Sequence, residues 1–417
     1  MLSCKHEEPD VEEGIAKLYT PYLTSIRGDK EVTLHWGKPA FAYCGLCVYP
    51  QLEPDYFEVL MSDTDPSDLQ IHTTVKKSIS EIAIDNLSNG RPYYFAVRAV
   101  KILRQAAVSM TIMTIPDIPE NIQGLFQTVD RSRELGTWSP DQSSVAYISD
   151  YTPNIGGGSV QSLLINTLSN NTEWLVEISS RSPEWSPAGN KIVYQTDNNP
   201  VSPSLGRRTT HISVLDLRDS SITRLTEGDS GNYFPCWSPD GNWVAFFSDR
   251  VRGSGNNGYS LWKTPADGGE AVQITTDFHD LNDGGVYGRS PGSLSWSKDG
   301  SIAFDRLTYT DNGYVNDIYA VPSIGGSKTA IVSSPWDDLC PAYAHDGNTI
   351  AFISNRSGNN EIWTMNLKSK QLRQITGSTG KWIYENSGKI EWSAQDDKIL
   401  FTGYSGNLKT LFSVDAK

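Results

Sequence analysis

The sequence predicts an all-β chain, and two observations carry that prediction. A unit opened by Trp or Tyr recurs six times, at Trp138, Trp185, Trp237, Trp296, Tyr343 and Trp392, with gaps of 47 to 59 residues. A period of this size marks repeat architecture. Ahead of the repeats, residues 20 to 115 alternate apolar and polar side chains as antiparallel strands do.

Each repeat has the same local logic. Trp237-Ser238-Pro239-Asp240-Gly241 leads into Trp243-Val244-Ala245-Phe246-Phe247; Pro and Asp favour a turn and Gly accepts its left-handed position. Two strands therefore meet there. The pattern returns at Trp138-Ser139-Pro140-Asp141 and Trp185-Ser186-Pro187-Ala188-Gly189, and drifts at Trp296-Ser297-Lys298-Asp299-Gly300, Tyr343-Ala344-His345-Asp346-Gly347 and Trp392-Ser393-Ala394-Gln395-Asp396. The second strand of each unit is a nearly continuous apolar run, which suits a sheet covered on both faces. A third strand (Glu361-Ile362-Trp363-Thr364-Met365) and a more polar fourth (Leu372-Arg373-Gln374-Ile375-Thr376) complete the unit. Six such units describe a β-propeller of six blades over residues 116–417. The sixth unit reaches only its third strand, Thr410-Leu411-Phe412-Ser413-Val414. An open blade leaves an unpaired edge, so Ile122-Gln123-Gly124-Leu125-Phe126-Gln127 is predicted to close the ring.

With the Ser-Asp-Arg at 248 to 250 and the Ser-Asn-Arg at 354 to 356, these turns resemble TolB-type propeller repeats. Related propellers occur in TolB, in the non-catalytic half of prolyl-oligopeptidase-like peptidases and in oligogalacturonate lyases, so the fold alone does not select a role. In residues 20–115, Trp36, Leu87, Gly90, Tyr93, Phe95 and Val97 resemble a fibronectin type III sandwich. That resemblance makes Tyr93 a corner tyrosine, its hydroxyl bonded to nearby backbone. Ile115-Pro116-Asp117-Ile118-Pro119 reads as a stiff linker.

The net charge of −14 disfavours nucleic acid and a bare anionic membrane as partners. Residues 1–19 form a charged tether without a core pattern. Leu2-Ser3-Cys4 resembles the end of a bacterial lipoprotein signal, and the Lys and acids that follow resemble a Bacteroidetes surface-export signal. Lipidation at Cys4, attachment to the outer membrane of the cell envelope and a monomeric state are the expectations that follow. Cys44 and Cys47 form a Cys-x-x-Cys pair without a second ligand pair for zinc, and read as a local disulfide or two thiols. Cys236 and Cys340 read as small buried side chains.

The long loops entering the inner strands are the expected ligand face. They place aromatics beside charged or amide groups at Tyr233 and Phe234, His279 and Asp280, Trp336, Asp337 and Asp338, and Trp382 and Tyr384. Flat rings beside hydrogen-bonding groups suit a sugar or a peptide side chain. Asp150, Asp197, Asp249 and Asn355 recur twelve residues after the opening aromatic, with Asp305 at nine; they read as turn caps, or as a calcium site. No further cofactor is expected.

The chain carries no Gly-x-Ser-x-Gly elbow; Gly403-Tyr404-Ser405-Gly406 is the nearest approach. It also lacks His-Glu-x-x-His and a phosphate loop. The propeller holds only His211, His279 and His345, short of the metal-holding histidine cluster that a lyase resemblance implies. The leading expectation is a non-enzymatic envelope module that presents its loop-rich face to a protein or a glycan. The alternative is a carbohydrate-active enzyme, a lyase or glycosidase, using acids such as Asp280 and Asp337 at the channel mouth.

Overall fold

A computed structural model describes residues 20–37, 53–101, 107–117, 120–126, 131–151, 160–197, 209–250, 259–275, 293–310, 313–377 and 389–416. Every regular element among them is a β-strand. The chain divides into two compact units, Met1–Pro119 with Arg356–Asn359, and Glu120–Asn355 with Asn360–Lys417.

In the first unit, Tyr22–Gly28, Glu31–Gly37 and Glu81–Ile84 form one antiparallel sheet. Gln70–Lys76, Tyr56–Ser62, Tyr93–Val100 and Ala107–Val108 form a second, with Ile112–Thr114 also paired to Tyr93–Val100. Alternation places Val32, Leu34 and Trp36 on the buried side of their strand, where they pack with Phe57, Val59, Phe95 and Val97. The Trp36 and Phe57 rings meet edge to face at 5.8 Å. The Tyr93 hydroxyl accepts the Ser88 N–H at 3.0 Å.

The second unit is a β-propeller. Its described residues form six four-stranded antiparallel sheets, the first five taken in chain order from inner to outer strand. The second strands are apolar on both sides because each sheet lies between two others. In Ser144–Tyr151, Ala146 and Ile148 pack on Ile192 and Tyr194 of the next sheet. Val145 and Tyr147 turn the other way, onto Leu400 and Leu411 of the last sheet. The first and sixth sheets are therefore neighbours, and the ring is closed.

The closing strand comes from ahead of the repeats. Ile122–Gly124 pairs antiparallel with Leu408–Asp415, in the register Val414 to Ile122, Ser413 to Gln123 and Phe412 to Gly124. The Leu125 N–H adds a bond to the Leu411 carbonyl at 3.0 Å. One strand thus supplies the fourth position of the last sheet and removes its open edge.

The tight turns show why the Ser-Pro-Asp-Gly pattern recurs. The residue four after the opening aromatic has a positive φ in all six units: Gln142, Gly189, Gly241, Gly300, Gly347 and Asp396. Glycine takes that conformation without a Cβ penalty. In the third unit the Ser238 hydroxyl donates to Asp240 at 2.6 Å and accepts the Trp243 N–H at 2.9 Å, while Asp240 also accepts the Asn242 N–H at 3.0 Å. These bonds hold the Asp240 carboxyl below its usual range, with the Ser238 hydroxyl the largest cause.

Candidate functional site

Each inner strand has an edge with no neighbouring strand, so its N–H groups need other partners. The residue just before each opening aromatic supplies them to the following sheet. Thr137 Oγ1 accepts the Trp185 N–H at 3.3 Å, Glu184 Oε1 the Trp237 N–H at 3.0 Å, and Ser295 Oγ the Tyr343 N–H at 2.8 Å. Glu391 Oε1 completes the circuit by accepting the Trp138 N–H at 3.0 Å. The Cys236 sulfur takes the same place opposite the Trp296 N–H. In the fifth unit Ala342 offers only its backbone, whose carbonyl accepts the Trp392 indole N–H at 2.9 Å.

Two positions further back, the inner strands carry bulges with left-handed residues: Leu135, Ser182, Phe234 and Cys340 have φ between 49° and 56°. Lys389 occupies the equivalent position of the sixth unit. Its ammonium reaches back to the second sheet, 3.1 Å from Glu184 Oε2 and 3.1 Å from the Pro183 carbonyl, and lies 3.2 Å from Glu391 Oε2. Burial alone would lower the Lys389 pKa, but the two carboxylates outweigh it and hold the ammonium above its ordinary range. Burial likewise pushes the Glu184 carboxyl up, offset in part by Lys389.

Above this charged floor lies a cavity of 390 Å³ at the tight-turn end of the ring. Its wall is built from the six opening aromatics and turn residues that follow them, Ser-Pro in the first three units and Ser297-Lys298, Ala344-His345 and Ala394 in the others. The pocket forms because inner strands converge there while the turns bend away. A smaller void of 20 Å³ sits deeper, between Leu135, Ser182, Phe234 and Lys389.

The loop-side residues are placed differently. Tyr233 meets Tyr259 edge to face at 5.2 Å, and Phe234 packs into the core between the third and fourth sheets. Trp336 is buried. Asp337 Oδ1 accepts both the backbone N–H and the side-chain amide of Asn316, at 3.0 and 2.8 Å, and Oδ2 accepts from the Asn355 amide at 3.2 Å. Asp338 is fully buried and accepts the Ser334 hydroxyl at 2.7 Å. His279, Asp280, Trp382 and Tyr384 lie outside the described residues, as do Cys4, Cys44 and Cys47. The structure thus brings Trp336, Asp337 and Asp338 into a tightly bonded corner, and the described cavity opens at the other end of the ring.

Two of the recurrent positions are caps, whereas Asp197 accepts the Thr210 hydroxyl at 3.1 Å and lies 3.6 Å from Arg181. Asp249 accepts the Gly231 N–H at 2.7 Å, and Asn355 Oδ1 accepts the Asp337 N–H at 3.0 Å. Among the described residues no group of three or more His, Cys, Asp or Glu is arranged to hold a metal ion. Cys236 and Cys340 are buried. Sequence reading passed over Glu184, Lys389 and Glu391; the available signal was a charged residue one or three places before an aromatic, at positions whose other members are Thr, Cys, Ser, Ala, Leu or Phe.

No family model matches the chain. Over 257 residues it is 26% identical to an uncharacterised protein of Agrobacterium fabrum, covering 60% of this chain and 76% of that protein. Over 185 residues it is 30% identical to a protein described as a TolB homolog from Chlorobium luteolum, covering 44% of this chain and 37% of that protein. The similarity is to TolB-like proteins. Among solved structures, a TolB-annotated protein of Agrobacterium tumefaciens aligns with a TM-score of 0.43 and 23% identity, over 60% of this chain and 80% of that one.

Proposed function

We propose that the chain is a non-enzymatic binding or scaffold module of the bacterial cell envelope. In this reading the six sheets are the blades of a TolB-type propeller, and the first unit is a fibronectin type III-like spacer. The lipid anchor is at Cys4, the module is monomeric, and the propeller presents a channel mouth to a protein or a glycan. The observation that carries the reading is the state of the two channel carboxylates. Glu184 and Glu391 each accept an inner-strand N–H and each pair with Lys389. A carboxylate held in this way is poorly placed to shuttle a proton or attack a sugar carbon. Beneath an aromatic-walled cavity, that arrangement favours recognition over turnover.

One observation supports the second reading, a carbohydrate-active enzyme. Burial raises the Glu184 pKa beside a second carboxylate, a pattern that general acids share. A glycan array combined with a product assay on every bound oligosaccharide separates the two. Retention of ligand without cleavage, weakened by Trp296→Leu, supports the binding module; cleavage that Glu184→Gln abolishes contradicts it.

A further inference from the structure

The cavity at the turn end has a charge pattern that selects among ligands. Lys389 is the cation on its floor; its ammonium donates to Glu184 Oε2 and the Pro183 carbonyl and pairs with Glu391 Oε2 at 3.2 Å, a buried oxygen that accepts no hydrogen bond among the described residues. An anionic ligand would face the two carboxylates there. The three side chains together carry one net negative charge, and their burial leaves that charge weakly screened.

The other charged groups on the wall are occupied as well. The Lys298 ammonium donates to the Asp346 carbonyl, and His345 pairs with Asp396 at 2.9 Å. In the tight turns, next in sequence to the lining residues Pro140, Pro239 and Lys298, Asp141, Asp240 and Asp299 are held below the usual carboxylate range, foremost by hydroxyl bonds from Ser139, Ser238 and Ser297. These acids stay ionised at neutral pH and extend the negative field outward. Trp185, Trp296 and Tyr343, each partly exposed, line the wall between floor and rim. Aromatic walls over a negative floor are the arrangement that attracts an ammonium group.

We infer that the turn-end cavity binds a small organic cation, a ligand carrying an ammonium group on a compact carbon frame. This rests on the reading of the protein as a binding module and names the chemistry its channel mouth accepts. The ammonium sits over the Glu391 side of the floor, and its carbon substituents contact the rings. A cavity of 390 Å³ is within the size range of small-molecule sites.

The test uses the full chain, with choline, glucosamine, glucose and glucuronate as probes, followed by tryptophan fluorescence and calorimetry. Choline represents a lipid-headgroup source of the cation and glucosamine an amino-sugar source. Binding of either one, about tenfold or more tighter than glucose and glucuronate, supports the inference. Glu391→Gln keeps an acceptor for the Trp138 N–H while removing the charge, and should weaken the bound ammonium by about tenfold. Trp296→Leu, on the wall, should do the same while keeping an apolar side chain against the core and a cooperative unfolding transition, so the test survives if Glu391→Gln folds poorly. Glucuronate binding as tightly as the amines, no binding of any probe, or full affinity in Trp296→Leu overturns the inference. Glycan-array hits that persist without any ammonium preference overturn this inference alone. Loss of both kinds of binding overturns the binding module itself.

Discussion

Lys389 shows how much one side chain can decide in this molecule. It joins the sixth inner strand to the second across the channel, and its removal would leave Glu184 and Glu391 buried without a counter-charge. Breaking a buried ion pair by deleting one partner costs about 3–5 kcal/mol. Lys389→Met should therefore lower the thermal midpoint at pH 7. The pH dependence has a definite sign. Burial already raises the Glu184 pKa, and without Lys389 it rises further, so the folded variant takes up a proton more readily than the unfolded chain. Stability of the variant relative to the parent is worst above that raised pKa and recovers as pH falls through it. Thermal scans from pH 7 to pH 5 check this; a deficit that does not shrink on acidification contradicts the assignment.

At the scale of elements, the inner strands manage their exposed edges by handing an acceptor to the next sheet. Ser295 serves Tyr343 at 2.8 Å, and an N–H left unsatisfied in a buried setting costs about 1–3 kcal/mol. Ser295→Ala should destabilise the propeller by roughly that amount, whereas a Ser substitution at Ala342 supplies the acceptor that this position lacks. Denaturant unfolding of the two variants reports both signs. Much of the element level was legible in advance: the turns, the apolar second strands and the closing segment at 122 to 124 all follow from spacing and strand-edge chemistry. The inner-strand bulges were not legible. A positive φ at Leu135 or Phe234 sits at a register shift between the inner and second strands, which no local propensity encodes.

For the whole molecule, the repeat specified the ring but left open which of its two ends holds the site. The sequence directed attention to the long loops, because their aromatics stand beside acids. In the structure Asp337 is occupied by Asn316 and Asn355, and Trp336 is buried. The 390 Å³ cavity lies at the short turns, whose residues look purely structural when read one repeat at a time, while His279, Asp280, Trp382 and Tyr384 of the loop face lie outside the described residues. Its floor unites Glu184 with Lys389, some 205 residues apart, a pairing that emerges only when the ring is closed. That closure is the central claim, and amide hydrogen exchange tests it most directly. Peptides covering 120–126 and 408–416 should be protected together and lose protection together, at the rate of global unfolding of the propeller. Rapid exchange in 120–126 while 408–416 stays protected would show that the ring is not closed by this strand.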